Sequence, residues 1–67
     1  MKNRVREIRK EKGISAIKLA RVAELAESDL RKIETGRVFP YPGWRARIAE
    51  ALSIDETTLF PEVGNDV

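Results

Sequence analysis

The chain has 67 residues, which is enough for one small domain with a modest hydrophobic core. It contains no Cys, so disulfides and thiolate metal sites are excluded and the chain suits a reducing cytoplasm. It contains no His, the commonest general base and metal ligand, and no apolar stretch long enough for a membrane span or a signal peptide. We therefore expect a cytoplasmic, non-enzymatic binding module with no cofactor, metal or small-molecule ligand.

Charge is unevenly distributed along the chain, although the net charge is only +2. Residues 1–22 carry eight Lys or Arg and two Glu, whereas residues 53–67 carry four carboxylates and no basic side chain. A basic front and an acidic end favour a one-sided approach to a polyanion, with the tail turned away. The alternative is a highly charged, solvated surface on a small stable domain.

Helical periodicity and helix-end signals divide the chain into five segments. The predicted helices are residues 2–12, 16–23, 27–34, 42–52 and 56–60. Gly13 and Gly36 are suitable stops for the first and third helices. Ser15 and Asp55 are suitable N-caps for the second and fifth, and Pro42 suits the first turn of the fourth. We find no strand pattern and no repeat.

The second and third helices are short and are joined by a turn of about three residues. Leu19, Ala20 and Ala23 form the predicted buried face of the second helix, and the two alanines allow the third helix to pack closely. Such a pair is the signature of a helix-turn-helix. Its second helix can enter a major groove about 12 Å wide.

The sequence resembles a known family over residues 3–61. The matching residues are Arg9, Gly13-Ile14-Ser15, Leu19-Ala20, Leu25, Ser28, Leu30, Ile33-Glu34-Thr35-Gly36-Arg37, Pro40, Ile48-Ala49-Glu50-Ala51-Leu52, Asp55-Glu56 and Leu59-Phe60-Pro61. They are similar to the lambda-repressor and Cro type of helix-turn-helix, the XRE-like family. The resemblance implies a compact all-α five-helix bundle. We assign residues 1–61 to this domain, and we expect residues 62–67 to form a flexible acidic tail because chain ends tend to fray. The resemblance also implies sequence-specific binding of double-stranded DNA, as a homodimer on a two-fold operator, by a small transcriptional regulator that acts as a repressor.

On this interpretation, the DNA contacts fall into two groups. The candidate base readers are Glu27, Ser28, Asp29 and Lys32. The candidate phosphate contacts are Ser15, Ala16, Lys18, Arg31 and Arg37. Lys32 can donate to guanine, and the two carboxylates can accept from cytosine, whereas the third helix has no Gln or Asn to read adenine. We therefore expect the contacted positions to favour G·C pairs. Alternatively, Glu27 and Asp29 only stabilise the helix N-terminus and partly replace the missing cap at Ala26.

Two further features concern packing. The resemblance implies a buried ion pair between Arg9 and Glu34; two separate surface charges are the alternative. Ile17 and Val22 stand where the family tends to have polar residues. We expect them to pack against the first or fourth helix, and otherwise to form an apolar patch for a partner.

The aromatic residues provide candidates for a dimer interface. Trp44 aligns with Ile48 and Leu52 and is expected in the core. Phe39, Tyr41 and Phe60 are the apolar candidates for the interface, because aromatic residues are enriched at interface centres. The alternative is that they cover the core of a small domain.

A second functional hypothesis is a protein-interaction module on the same fold, antitoxin-like or adaptor-like, with weakened DNA binding. Two departures from the family motivate it. Ala16 replaces a Gln that often braces the DNA backbone, and the third helix begins with acidic residues.

Overall fold

The computed structural model describes residues 3–62, which form a five-helix bundle without a strand in that range. The helices are α1 (Val5–Glu11), α2 (Ala16–Val22), α3 (Glu27–Glu34), α4 (Pro42–Leu52) and α5 (Glu56–Leu59). The predicted all-α fold is confirmed, and α3 and α4 have their predicted bounds. The predicted acidic tail lies outside the described residues except for Glu62. None of the described helices is long and apolar enough to cross a membrane.

The N-terminal segment is attached to the rest of the bundle before α1 begins. Asn3 Oδ1 accepts a hydrogen bond from the Val5 amide at 3.1 Å, and Asn3 Nδ2 donates to the Ile33 carbonyl oxygen at 2.8 Å. The Arg4 amide donates to the Leu59 carbonyl oxygen at 2.8 Å. Because Asn3 satisfies a free helix-start amide from outside the helix, α1 begins later than the sequence predicts.

Four helices end in a left-handed turn with the same hydrogen-bond pattern. The residues at these turns are Gly13 (φ 70°), Glu24 (φ 60°), Gly36 (φ 78°) and Ser53 (φ 56°). In each turn the next amide donates to the carbonyl oxygen five residues earlier, as from Leu25 to Ala20 at 2.8 Å. Glycine adopts this conformation freely, whereas other L-residues lose about 1–2 kcal/mol. Glu24 and Ser53 are therefore strained positions.

One hydrophobic core joins the five helices. It contains Val5, Ile8, Leu19, Ala20, Ala23, Leu30, Ile33, Ile48, Ala49, Leu52, Leu59 and Phe60. α2 packs against α3 and α4, and α4 packs against α5. Trp44 is half-buried and packs against this core. The predicted buried face of α2 is thus present, with alanines where the helices approach closely.

Two predictions about apolar side chains require correction. Phe60 is 0% exposed and belongs to the core, where a small domain gains from burying a large ring, so it is not available for a dimer interface. Ile17 and Val22 are 55% and 58% exposed, so the prediction that they pack against neighbouring helices is wrong. The core face of α2 is defined by its buried residues Leu19, Ala20 and Ala23. At about 100° per residue, Ile17 and Val22 lie about 110° to either side of the centre of this face, so both side chains point out of the core.

Arg45 holds the loop between α3 and α4 against α5. Its Nε donates to Glu56 Oε1 at 2.8 Å, its Nη1 donates to the Pro40 carbonyl oxygen at 2.8 Å, and its guanidinium lies 5.3 Å from the centre of the Phe39 ring.

The predicted side-chain cap by Asp55 is not formed. The backbone carbonyl of Asp55 accepts from the Thr58 amide instead, at 3.0 Å.

Candidate nucleic-acid interface

The ends of α2, including the turn that leads to α3, are held by local hydrogen bonds and by a side chain of α4. Ser15 starts α2, with its Oγ accepting from the Lys18 amide at 3.1 Å as predicted. At the other end Glu24 takes the left-handed conformation. Arg47 of α4 then donates from Nε to the Ala23 carbonyl oxygen at 2.8 Å. A carbonyl left free at a helix end is thus satisfied by a cation, which also suits the negative end of the helix dipole. α3 is consequently held at a defined angle to α2.

A nearly buried ion pair supports α3 from behind. Arg9 Nε donates to Glu34 Oε2 at 2.8 Å and Arg9 Nη2 donates to Glu34 Oε1 at 3.2 Å, with the two side chains 11% and 5% exposed. Arg9 Nη1 also donates to the Ile14 carbonyl oxygen at 3.0 Å. The pair implied by the family resemblance is therefore present. It ties α1, the loop before α2 and the end of α3 together.

The outward face of α3 is basic and lies between two shallow concavities. Leu30 and Ile33 face the core, so side chains on the opposite side of the helix face solvent. One concavity is lined by Ser28, Arg31, Lys32, Thr35 and Arg37. The other is lined by Arg6, Arg9, Ala16, Arg31, Glu34 and Thr35. Because Arg31 and Thr35 line both, the concavities form one continuous surface. We call it the α3 basic surface and define it as Arg6, Ala16, Ser28, Arg31, Lys32, Thr35 and Arg37.

A family model described as a helix-turn-helix domain matches residues 3–59. The chain belongs to this helix-turn-helix family. The match agrees with the resemblance to the lambda-repressor type and indicates DNA binding. No curated protein matches the sequence.

The helix-turn-helix brings some of the predicted DNA contacts together and separates others. Ser28 and Lys32 lie one turn apart on the α3 basic surface, together with Ala16, Arg31 and Arg37. Ser15, Lys18 and Asp29 line neither concavity, whereas Glu27 is joined to the surface by its hydrogen bonds to Arg31. Asp29 is half-buried beside Leu30. Three of the four basic residues predicted to contact DNA, Arg31, Lys32 and Arg37, therefore lie on this surface, and Lys18 does not.

Arg6 is a member of the α3 basic surface that sequence reasoning missed. It lies in the first turn of α1, yet it lines the same concavity as Ala16 and Arg31. Its side chain is exposed. No local pattern distinguishes Arg6 from the other basic residues of α1, because its approach to α3 arises only when the bundle forms.

Glu27 and Arg31 form an ion pair within α3. Glu27 Oε2 accepts from Arg31 Nε at 3.0 Å and from Arg31 Nη2 at 2.7 Å. The two side chains are 37% and 66% exposed. The residues are four apart and so face each other along the helix surface. The carboxylate of one predicted base reader is thus hydrogen-bonded to one predicted phosphate contact.

A similar ion pair lies at the surface where α1 begins. Arg4 Nη2 lies 3.1 Å from Glu7 Oε2. Hydrogen bonding to Glu7, and then its negative charge, raises the pKa of Arg4, and the same hydrogen bond lowers the pKa of the Glu7 carboxyl. Neither residue lines the α3 basic surface. This pair therefore resembles the Glu27–Arg31 pair in chemistry and differs from it in position.

The exposed aromatic residues lie on the loop beyond α3. Phe39 and Tyr41 are 58% and 67% exposed. The Tyr41 ring meets the half-buried Trp44 ring edge-to-face, with centroids 5.1 Å apart. Of the three aromatic residues predicted for a dimer interface, these two are at the surface.

Proposed function

We propose that this protein is a sequence-specific regulator of transcription that binds double-stranded DNA with α3 in the major groove. The α3 basic surface is the observation that carries this proposal. It places four cations, Arg6, Arg31, Lys32 and Arg37, around the exposed face of a helix whose position is fixed by Arg9 and Arg47. Arg6 and Arg37, which border the helix, supply the salt-dependent affinity for phosphate, whereas the cations on the helix itself face the base edges. Repression follows where the occupied site overlaps a promoter.

The contacts divide by their chemistry and position. We assign to the phosphates the groups that border the surface, namely Arg6, Arg37 and the start of α2 near Ser15 and Ala16. Lys18, which is exposed on α2, is assigned to the phosphates as well. Ser28 and Lys32 lie one turn apart on the exposed face, and we assign them to the base edges. Lys32 donates to guanine, so contacted positions favour G·C pairs.

A homodimer follows from the need for specificity. One recognition helix reads too few base pairs to select a site, and two-fold pairing doubles the number. Phe39 and Tyr41 are the exposed apolar residues that suit the interface centre. Sedimentation of the wild type with and without its selected duplex tests this, with Tyr41→Ser as the interface variant. A monomer in both conditions at high micromolar concentration contradicts the dimer.

A salt series on duplex binding tests the DNA proposal. We expect the affinity to fall steeply as salt rises, and Arg37→Ala to lower the slope by about one counterion for all sequences alike. Lys12→Ala is the matched control, because Lys12 is a cation outside the α3 basic surface. Weak binding with a flat salt dependence contradicts the proposal. An equal change of the salt slope in Arg37→Ala and Lys12→Ala also contradicts the proposal, because it would mean that the α3 basic surface contributes no more to DNA binding than other cations.

Ile17 and Val22 favour a second candidate function, a protein-interaction module with weakened DNA binding. Both side chains are more than half exposed on α2, outside the α3 basic surface. An Ile17→Ser/Val22→Ser variant that keeps its duplex affinity but loses a co-purifying protein supports this candidate. Loss of duplex affinity in the same variant contradicts it.

A further inference from the structure

The Glu27–Arg31 pair gives Arg31 an unusual position on the α3 basic surface. Arg31 lines both concavities, as does Thr35 at the end of α3, and Arg31 therefore lies between the start of α2 and the Ser28–Lys32 face. Its guanidinium is tied back toward the start of α3 by two hydrogen bonds to Glu27 Oε2. Arg31 is thus both central in the surface and restrained in orientation.

Glu27 occupies one edge of this guanidinium and leaves another edge exposed. A guanidinium has five N–H donors in a planar fork. Glu27 engages Nε and Nη2, and the Arg31 side chain remains 66% exposed. The Nη1–Nη2 edge can therefore meet a second planar acceptor in the same plane. Guanine, with O6 and N7 side by side in the major groove, matches this edge with two parallel hydrogen bonds.

The carboxylate beside Arg31 favours a neutral acceptor over a phosphate. Glu27 offsets the charge of Arg31 at 2.7 Å, so the attraction of the pair for a distant anion is small, and an approaching phosphate would also meet the negative charge of Glu27. A base edge carries no net charge and meets no such repulsion. Restraint of the side chain before binding also reduces the conformational entropy lost when the contact forms.

We propose that Glu27 is a positioning residue, and that it holds Arg31 as a reader of guanine in the major groove. This inference rests on the proposed function. It changes the roles expected from the sequence, in which Glu27 accepts from cytosine and Arg31 contacts phosphate. Arg31 acts as the specificity determinant, and Glu27 acts through it.

Selection of bound duplexes from a random library tests the roles of the two residues. The proteins compared are the wild type, Glu27→Gln, Arg31→Lys and the control Glu7→Gln, each first checked for folding by circular dichroism. Glu7→Gln removes the same charge from a similar exposed ion pair that lies outside the α3 basic surface. Arg31→Lys keeps the charge and removes the planar fork.

We expect Arg31→Lys to reduce the preference for guanine at one half-site position about tenfold, while the salt slope stays unchanged. Glu27→Gln should weaken the preference at the same position roughly threefold to tenfold without creating a new one. In the free protein, the ¹⁵Nε heteronuclear NOE of Arg31 should fall in Glu27→Gln, which shows lost restraint independently of DNA. Glu7→Gln should leave the selected sequence unchanged.

Three results overturn the inference while leaving the proposed function intact. The first is an unchanged guanine preference in Arg31→Lys. The second is a switch from G·C to A·T at one position in Glu27→Gln, because Gln reads adenine and Glu27 would then contact the base itself. The third is an unchanged NOE for Arg31 in Glu27→Gln. Flat, salt-independent binding by the wild type instead rejects the proposed function, and the inference with it.

Discussion

Two Arg–Glu pairs with hydrogen bonds of similar length lie in different surroundings in this molecule; Arg9 engages both carboxylate oxygens of Glu34, whereas Arg31 engages only Oε2 of Glu27. The Arg9–Glu34 hydrogen bonds are 2.8 and 3.2 Å long and join α1 to α3, with both side chains nearly buried. The Glu27–Arg31 hydrogen bonds are 3.0 and 2.7 Å long and lie within one turn of α3, largely exposed. Burial removes the water that would solvate a lone charge, whereas exposure leaves it available. The buried pair therefore determines how the helices pack, and the exposed pair determines how one side chain is presented.

Breaking the buried pair should have the largest effect on stability. We expect Glu34→Ala to lower the free energy of unfolding by about 3–5 kcal/mol, because it leaves the Arg9 guanidinium buried without its counter-charge. Urea unfolding followed by circular dichroism measures this change. The double variant Arg9→Met/Glu34→Leu should recover much of the loss, because neither charge remains. A loss below about 1 kcal/mol would place the pair with ordinary surface pairs.

Arg47 should contribute less to the free energy of unfolding than the buried Arg9–Glu34 pair and more than the exposed Glu27–Arg31 pair, because its partner is a neutral carbonyl. We expect Arg47→Met to lower the free energy of unfolding by about 1.5 kcal/mol, since the Ala23 carbonyl oxygen loses a charged donor at 2.8 Å. The same urea experiment measures it. Arg21→Met, an exposed cation in the last turn of α2, is the matched control and should change stability little. Equal effects in the two variants would mean that the contact of Arg47 with the turn contributes nothing.

The turn held by Arg47 also contains a strained residue. We expect Glu24→Gly to raise the free energy of unfolding by about 0.5–1 kcal/mol, because glycine removes the cost of the left-handed conformation. The greater conformational entropy of glycine in the unfolded chain offsets part of this stabilisation. Thermal unfolding at several protein concentrations separates this from any change in association. Ser53→Gly tests the same backbone effect without a change of charge and should also stabilise. Destabilisation by both variants would mean that chain entropy outweighs the strain.

Features that depend on residues close together in the sequence could be predicted, whereas features that depend on residues far apart in the sequence could not. The end of α3, the start of α4 and the Ser15 cap were predictable, because the signals are local: Gly36, Pro42 and a hydroxyl lie within a few residues of these helix ends. No sequence pattern distinguishes Arg45 or Arg47 from the other cations, although both donate hydrogen bonds to backbone carbonyls elsewhere in the fold. Their partners are carbonyl oxygens on other segments, and no residue pattern marks such an acceptor.

The same limit explains the errors among the candidate site residues. Phe60 and Phe39 are chemically alike, and only the packing of the α4–α5 corner distinguishes the buried ring from the exposed one. Arg6 was missed because it approaches α3 through the fold. By contrast, the spacing of Ser28 and Lys32 on one helix face was enough to place them together.

The exposed pair should contribute least to stability, and Arg31→Gln measures its contribution most directly. Gln and Arg have nearly equal helix propensities, so the substitution removes the pair with little effect on the helix backbone. We expect a loss of less than about 0.5 kcal/mol, since pairs four residues apart on a helix surface contribute about 0.2–0.5 kcal/mol. The loss should disappear in 1 M salt, where the screening length is about 3 Å and therefore close to the separation of the two charges. The Glu34→Ala effect should persist in that salt, because buried charges are screened much less. Parallel urea unfolding at low and high salt distinguishes the Glu34→Ala effect from the Arg31→Gln effect. A salt-independent loss above about 1 kcal/mol in Arg31→Gln would mean that Arg31 stabilises the fold and is not held on the surface for DNA recognition alone.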